Sequence, residues 1–193
     1  MKARDLAIAT ALIILLGTLL SGCQPIEPEK AKVAGKTVIE EFVMKAVAAK
    51  KEVKLNLKSE KVGKEVKVSI SLENPNLKPI TSVQSWLSYD PALLKGVKVE
   101  AKGSAFEMTA PYDNNFDTEA GLVRIGRASP RPITEKTIAV AEVTFEPLGE
   151  GAAAVDAYDY QDDLGGHTSA NAMVDGKPFN ILVKPESPAL VIQ

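Results

Sequence analysis

From Val53 onward the apolar residues fall on every second position, and that alternation restricts the chain to half-buried β-strands. Val53, Leu55 and Leu57 alternate with Lys54, Asn56 and Lys58. After a turn at Lys61–Lys64, Val66, Val68, Ile70 and Leu72 alternate with Lys67, Ser69 and Ser71. The stretch Ile80–Tyr89 continues the pattern with two different faces. Val83, Ser85, Leu87 and Tyr89 share one side, which is expected to be core, and Gln84, Trp86 and Ser88 share the other. Asp90-Pro91 ends it, because proline donates nothing to a ladder and holds the residue before it extended. Further strands are expected at Gly96–Glu100, Gly121–Arg127, Ile138–Phe145, Ala152–Ala157 and Asn180–Lys184. Turn signals separate them at Asn74–Asn76, Gly103-Ser104, Pro111–Asn115, Ser129–Pro132, Gly149–Gly151 and Gly165-Gly166. Many short strands without alternating helices predict an all-β fold, an antiparallel β-sandwich, with a barrel as the alternative.

Charge and rare residues exclude several functions. The chain carries 23 basic and 25 acidic residues, a net charge of -2, so no basic field points to a nucleic acid partner. A single cysteine forbids an internal disulfide, and a single histidine, His167, forbids a site built from several imidazoles. No nucleophile elbow, zinc-protease helix or phosphate loop occurs, so no catalytic residues and no cofactor are expected. His167 follows two glycines and reads as a solvated loop residue.

The N-terminus reads as an address. Lys2 and Arg4 precede an apolar run from Leu6 to Leu20, which falls short of the roughly 20 residues of a spanning helix. The run ends in Leu20-Ser21-Gly22-Cys23, which resembles the bacterial lipobox. That resemblance implies a lipoprotein signal peptide over 1–22 and acylation of Cys23, with the lipid bilayer as a partner. Gln24 after the cysteine implies the outer membrane or, with one membrane, the cell surface. Residues 23–35 form a Pro-, Glu- and Lys-rich linker. Over 36–50, Val38, Ile39, Phe42, Val43, Ala46 and Val47 recur with a helical period and predict a short amphipathic helix, with a first strand as the competing reading. The sandwich is expected over 51–193.

Three segments resemble the cohesin family, the β-sandwich modules that hold dockerins in cellulosomes. They are VKVSISLEN (Val66–Asn74), ITSVQSWLSYDPALLKGVKV (Ile80–Val99), and GLVRIGRAS with KTIAVAEVTFEPLGEG (Gly121–Ser129 and Lys136–Gly151). The resemblance implies a jelly-roll type sandwich and a non-catalytic binding role toward a dockerin-type domain, connected with polysaccharide breakdown. By position it implies a contact face of Ser82 and Gln84 on one strand and Arg124, Gly126 and Ala128 on another. Trp86 shares the side of Gln84 and joins that face. Cohesins that bind dockerins tend to carry Asn and Asp at the first pair, and Ser82 and Gln84 are shorter or uncharged. The rival reading is an assembly lipoprotein whose sandwich packs on another envelope protein.

Two further ligand chemistries are weighed. Trp86, Tyr89, Tyr112, Tyr158 and Tyr160 have rings that could stack on a polysaccharide, although the side shared by Tyr89, Val83 and Leu87 marks Tyr89 as core. Asp159, Gln161 and Asp163 imitate the start of a calcium loop. Leu164 then stands where a glycine belongs and Ala170 where the closing Glu belongs, so a solvated turn is the main expectation.

Overall fold

Each run of alternating residues becomes a strand because burying one side of it removes apolar surface from water while the polar side stays solvated. The computed structural model describes residues 50–193. The signal peptide, Cys23, the linker and the helix expected over 36–50 lie outside the described residues, except Lys50, which has no regular structure. Among the described residues no helix is long and apolar enough to cross a membrane.

The elements in chain order are β1 (Lys54–Val62), β2 (Glu65–Glu73), β3 (Ile80–Ser85), β4 (Leu87–Tyr89), β5 (Leu94–Glu100), β6 (Met108–Thr109) and β7 (Asn115–Asp117). Then follow β8 (Leu122–Arg124), β9 (Gly126–Ile133), β10 (Thr137–Pro147), β11 (Ala153–Ala157), β12 (Thr168–Val174), β13 (Lys177–Asn180) and β14 (Leu190–Ile192). Every pairing between these strands is antiparallel. One layer has the order β1-β2-β10-β5. The other is a pair of ladders, β13-β12-β3-β9-β6 and β14-β11-β4-β8-β7. The two ladders follow one another along the chain: β3 runs into β4 at Trp86, β8 into β9 at Ile125, and Ser85 N donates to Ile125 O across the joint at 2.8 Å.

The core is one cluster drawn from both layers. Val68, Ile70, Leu72, Val143 and Phe145 face Ile80, Val83, Leu87, Val123, Ile125 and Ala170 in it. Tyr89 is buried as expected, with its ring edge-on to Phe116 and Phe145 at 6.1 and 5.2 Å. Strand β10 keeps its apolar side inward only because it changes phase. Ile138 lies opposite Leu72, Val140 is an extra unpaired residue, and Ala141, Val143 and Phe145 then face Ile70, Val68 and Val66.

Several expectations are corrected. Ile80–Tyr89 is two strands rather than one, broken at Trp86, and Gly121–Arg127 is likewise β8 and β9 with Ile125 between them. Ser129–Pro132, read as a turn, lies inside β9 where its register against β3 shifts. The strand expected over Asn180–Lys184 is displaced to Lys177–Asn180. Ile181 and Val183 bond instead to the chain at Glu52 and Val53. Strand β12 gave no signal, because its inward residues Ala170 and Ala172 are small.

Candidate binding face

The register of β12, β3 and β9 places the outward side chains in rows. Ser82 stands opposite Asn171 on one side and Ala128 on the other, and Gln84 stands opposite Ser169 and Gly126. Strand β6 extends the first row, with Met108 opposite Ala128. A third row continues at the joint, where Trp86 lies against His167 and Arg124, with ring centroids 4.2 Å apart and the guanidinium 5.2 Å from the indole. Ser82, Gln84, Trp86, Arg124 and Ala128 therefore share one surface, with Gly126 in the row of Gln84. Asn171, Ser169, Met108, His167 and Asp113 also belong to it and were not expected there. Only the neighbouring strands bring them in.

The row of Asn171, Ser82 and Ala128 is small and uncharged. Asn171 Nδ2 donates to Ser82 Oγ at 3.2 Å and reaches Ser169 Oγ at 3.4 Å, while Asn171 Oδ1 is buried without a partner. At the other end Trp86, the single tryptophan of the chain, is tied by its backbone on both sides. Its N–H donates to His167 O at 3.2 Å and its carbonyl accepts from Tyr158 N at 2.8 Å. Thr168, fully buried, has its hydroxyl 2.7 Å from Tyr158 O and 3.1 Å from Trp86 O, and its one proton serves the nearer. Tyr158 lies nearly parallel to the indole at 6.3 Å.

The charges of this end are mostly consumed within it. Arg124 pairs with Asp117 and also lies over the Trp86 ring. His167 Nδ1 is 2.6 Å from Asp159 Oδ2, and because a carboxylate only accepts, Nδ1 carries the proton. Hydrogen bonds from Gln161 and then His167 hold the Asp159 carboxyl below the usual carboxylate range. Asp159 has φ +49°, a left-handed geometry that aspartate tolerates better than most residues. Its carbonyl leaves no room for a Cβ on Gly166, so that glycine is needed for this turn.

Gly126 is a correction to the expected contact set. It is buried, and a Cβ there would collide with Asp113 Oδ2 and with the Ala110 Cβ. The Asp113 carboxylate thus occupies the place of a side chain on β9, directly across from Gln84. A turn delivers it: Asp113 N donates to Ala110 O at 3.2 Å, and Asn114 N donates to Arg124 O at 2.7 Å.

The calcium set does not converge. Gln161 Nε2 donates to Asp159 Oδ1, while Asp163 Oδ1 accepts from Gly165 N. No group of three or more His, Cys, Asp or Glu among the described residues could hold a metal ion. Tyr160 is occupied too, accepting from Lys51 Nζ at 2.8 Å and donating to Leu182 O at 3.0 Å.

The outward side of the other layer is chemically different. Its cross-strand rows read Lys58, Ser69, Glu142, Glu100 and Glu60, Lys67, Thr144, Lys98. Lys67 pairs with Glu142 at 3.2 Å and Lys98 with Glu100 at 2.9 Å. Neither Lys nor Glu occurs in the rows on β12, β3 and β9.

The family model of the cohesin domain matches residues 51–180. Three solved structures illustrate the similarity. The seventh ScaB type I cohesin from Pseudobacteroides cellulosolvens is 19% identical with a TM-score of 0.48, over 67% of this chain and 84% of that one. A type I cohesin–dockerin complex of Clostridium thermocellum, Coh-OlpA-Doc918, matches at 13% identity and 0.47, over 67% and 92%. The third cohesin of ScaC from Acetivibrio cellulolyticus, in complex with the ScaB dockerin, matches at 13% and 0.48, over 68% and 100%. No curated protein matches the chain.

Proposed function

The chain belongs to the cohesin domain family, whose members are non-catalytic binding modules, and from that premise we propose that its sandwich docks a dockerin-type protein through the outward face of β12, β3 and β9. One observation carries the choice of face. The rows Asn171, Ser82, Ala128 and Ser169, Gln84, Gly126 are without Lys or Glu, whereas the opposite layer is laced with Lys–Glu pairs. Depletion of Lys and Glu across a patch, with aromatic and Arg side chains beside it and the Asp113 carboxylate as the one charge set into these rows, marks a surface that loses water on docking. A protein suits it better than a polysaccharide, because the Trp86 ring already packs on His167 and Arg124 rather than standing bare for a sugar.

We place this module outside the cytoplasm, anchored to the outer membrane or cell surface by acylated Cys23 and serving polysaccharide breakdown through its partner. The lipobox-like Leu20-Ser21-Gly22-Cys23 supports the anchor. The docking test is a calorimetric titration of the domain with dockerin-type modules from the same genome, repeated with Gln84→Ala and Arg124→Ala. Binding that survives both changes unaltered discards this face. The anchor fails if the mature protein enters the aqueous phase after detergent extraction of cells.

A further inference from the structure

We infer that Asp113 is the specificity-determining residue of this face and that it receives a cationic side chain, Lys or Arg, of the docked partner. The inference rests on the proposed docking of a protein to this face. Asp113 comes from the loop between β6 and β7, not from the sheet, yet its carboxylate fills the space left by Gly126 in the row of Ser169 and Gln84. It therefore stands at the middle of the face.

The cations near it are each engaged with another acid. Arg124 is taken by Asp117 and the indole, and His167 by Asp159. Asp113 makes no salt bridge among the described residues, and the Trp86 indole N–H approaches it without closing an aligned hydrogen bond. Burial pushes the carboxyl up, opposed by the Trp86 indole, Arg124 and His167. A half-buried carboxylate in that condition is a liability to an unbound domain. Docking would remove the remaining water from it, so a partner must bring a cation or bind poorly.

The loop keeps the carboxylate there at a cost in backbone strain. The residues on either side, Tyr112 and Asn114, have φ +65° and +64°, and a tyrosine gains nothing from that conformation. Tyr112 is 91% exposed, so no packing within the domain offsets it. Asn115 Nδ2 donates to Tyr112 O at 2.7 Å and holds the turn in place. A strained Tyr112 and a left-handed Asn114 bracket Asp113.

The test uses two probes on the domain and on its isosteric Asp113→Asn variant, whose fold is checked by its amide spectrum. In the first arm argininamide, with the uncharged citrullinamide as control, is titrated while NMR follows the Asp113 carboxyl carbon and the Trp86 indole N–H. The expected result is a saturable shift with argininamide only, lost in Asp113→Asn. Equal shifts from both compounds, or a response that survives in the variant, overturn the inference. In the second arm a dockerin-type module from the same genome is titrated, with an expected loss of about tenfold or more in affinity for Asp113→Asn, as for a charge-assisted contact. Equal binding to both proteins overturns the role of Asp113 and leaves the docking face standing. If no such module binds the wild type while the first arm succeeds, the cation site stands and the dockerin reading falls.

Discussion

The two outward faces of the sandwich are built from strands of the same kind and solve opposite problems. On β1, β2, β10 and β5 the outward residues are Lys, Glu, Ser and Thr in cross-strand pairs, such as Lys67 with Glu142 and Lys98 with Glu100. Exposed pairs of this sort contribute little to stability, and they keep a sheet hydrated and disfavour docking. In the cross-strand rows of β12, β3 and β9 the outward residues are uncharged, one is a buried glycine, and Asn171 Oδ1 has no partner. The contrast is between a layer laced with Lys–Glu pairs and rows without Lys or Glu, beside which Asp113, Arg124 and the exposed Arg131–Glu107 pair carry the charge.

The largest effect is expected from carrying the chemistry of one face onto the other. Ser82→Glu would bury an unpaired charge on docking and weaken a dockerin-type partner by about 2–5 kcal/mol, whereas Ser69→Glu on the charged layer leaves affinity unchanged. Equal losses in calorimetry would erase the distinction between the faces. Gly126→Ala comes next. Its Cβ must displace both Asp113 and Ala110, so a cost of about 1–3 kcal/mol is expected in chemical denaturation. Ser71→Ala on the opposite face should stay within about 0.5 kcal/mol. A neutral Gly126→Ala would mean that the loop bearing Asp113 is not seated on β9.

A smaller effect is expected from acid. The Asp159 carboxyl is held low in the folded protein, so its contribution is present above the ordinary carboxylate range and is lost as pH falls through the depressed value. Emission from the single Trp86, whose ring lies tilted against His167, should change over that acid range, and Asp159→Asn should abolish the change. Glu100 is also held low, by Lys98, but it lies on the other layer, so Glu100→Gln should leave the emission profile as it is. The smallest effect is reserved for Lys95→Ala. Its pair with Glu146 is exposed, and thermal or urea unfolding should register a loss below about 0.5 kcal/mol.

Much of the fold could be read because a strand declares its faces locally. Val83, Leu87 and Tyr89 are buried and Ser82, Gln84 and Trp86 are half-buried, as the alternation predicts, and Asp90-Pro91 ends β4. Where the period itself is interrupted, the reading was blunt. Val140 is an inserted residue that moves the inward set of β10 from even to odd positions, so its sequence shows only a dense apolar run. Strand β12 packs through Ala170 and Ala172, whose small side chains give almost no hydropathy contrast.

The candidate face was legible on β3 and only partly elsewhere. Ser82, Gln84 and Trp86 follow from one strand's alternation. That Gly126 is covered by Asp113, and that His167, in the loop before β12 and still partly exposed, lies on the indole, follow from contacts between distant segments. No local pattern encodes which loop will cross a strand.

The sequence by itself determined that residues from Val53 onward form an all-β fold and which side of most strands is core, because parity and transfer from water act residue by residue. The tertiary structure alone decided which outward residues become neighbours. Register, the breaks at Trp86 and Ile125 and the path of the β6–β7 loop are set by closing the whole sandwich. From that closure came a face with a carboxylate where its strand has only glycine.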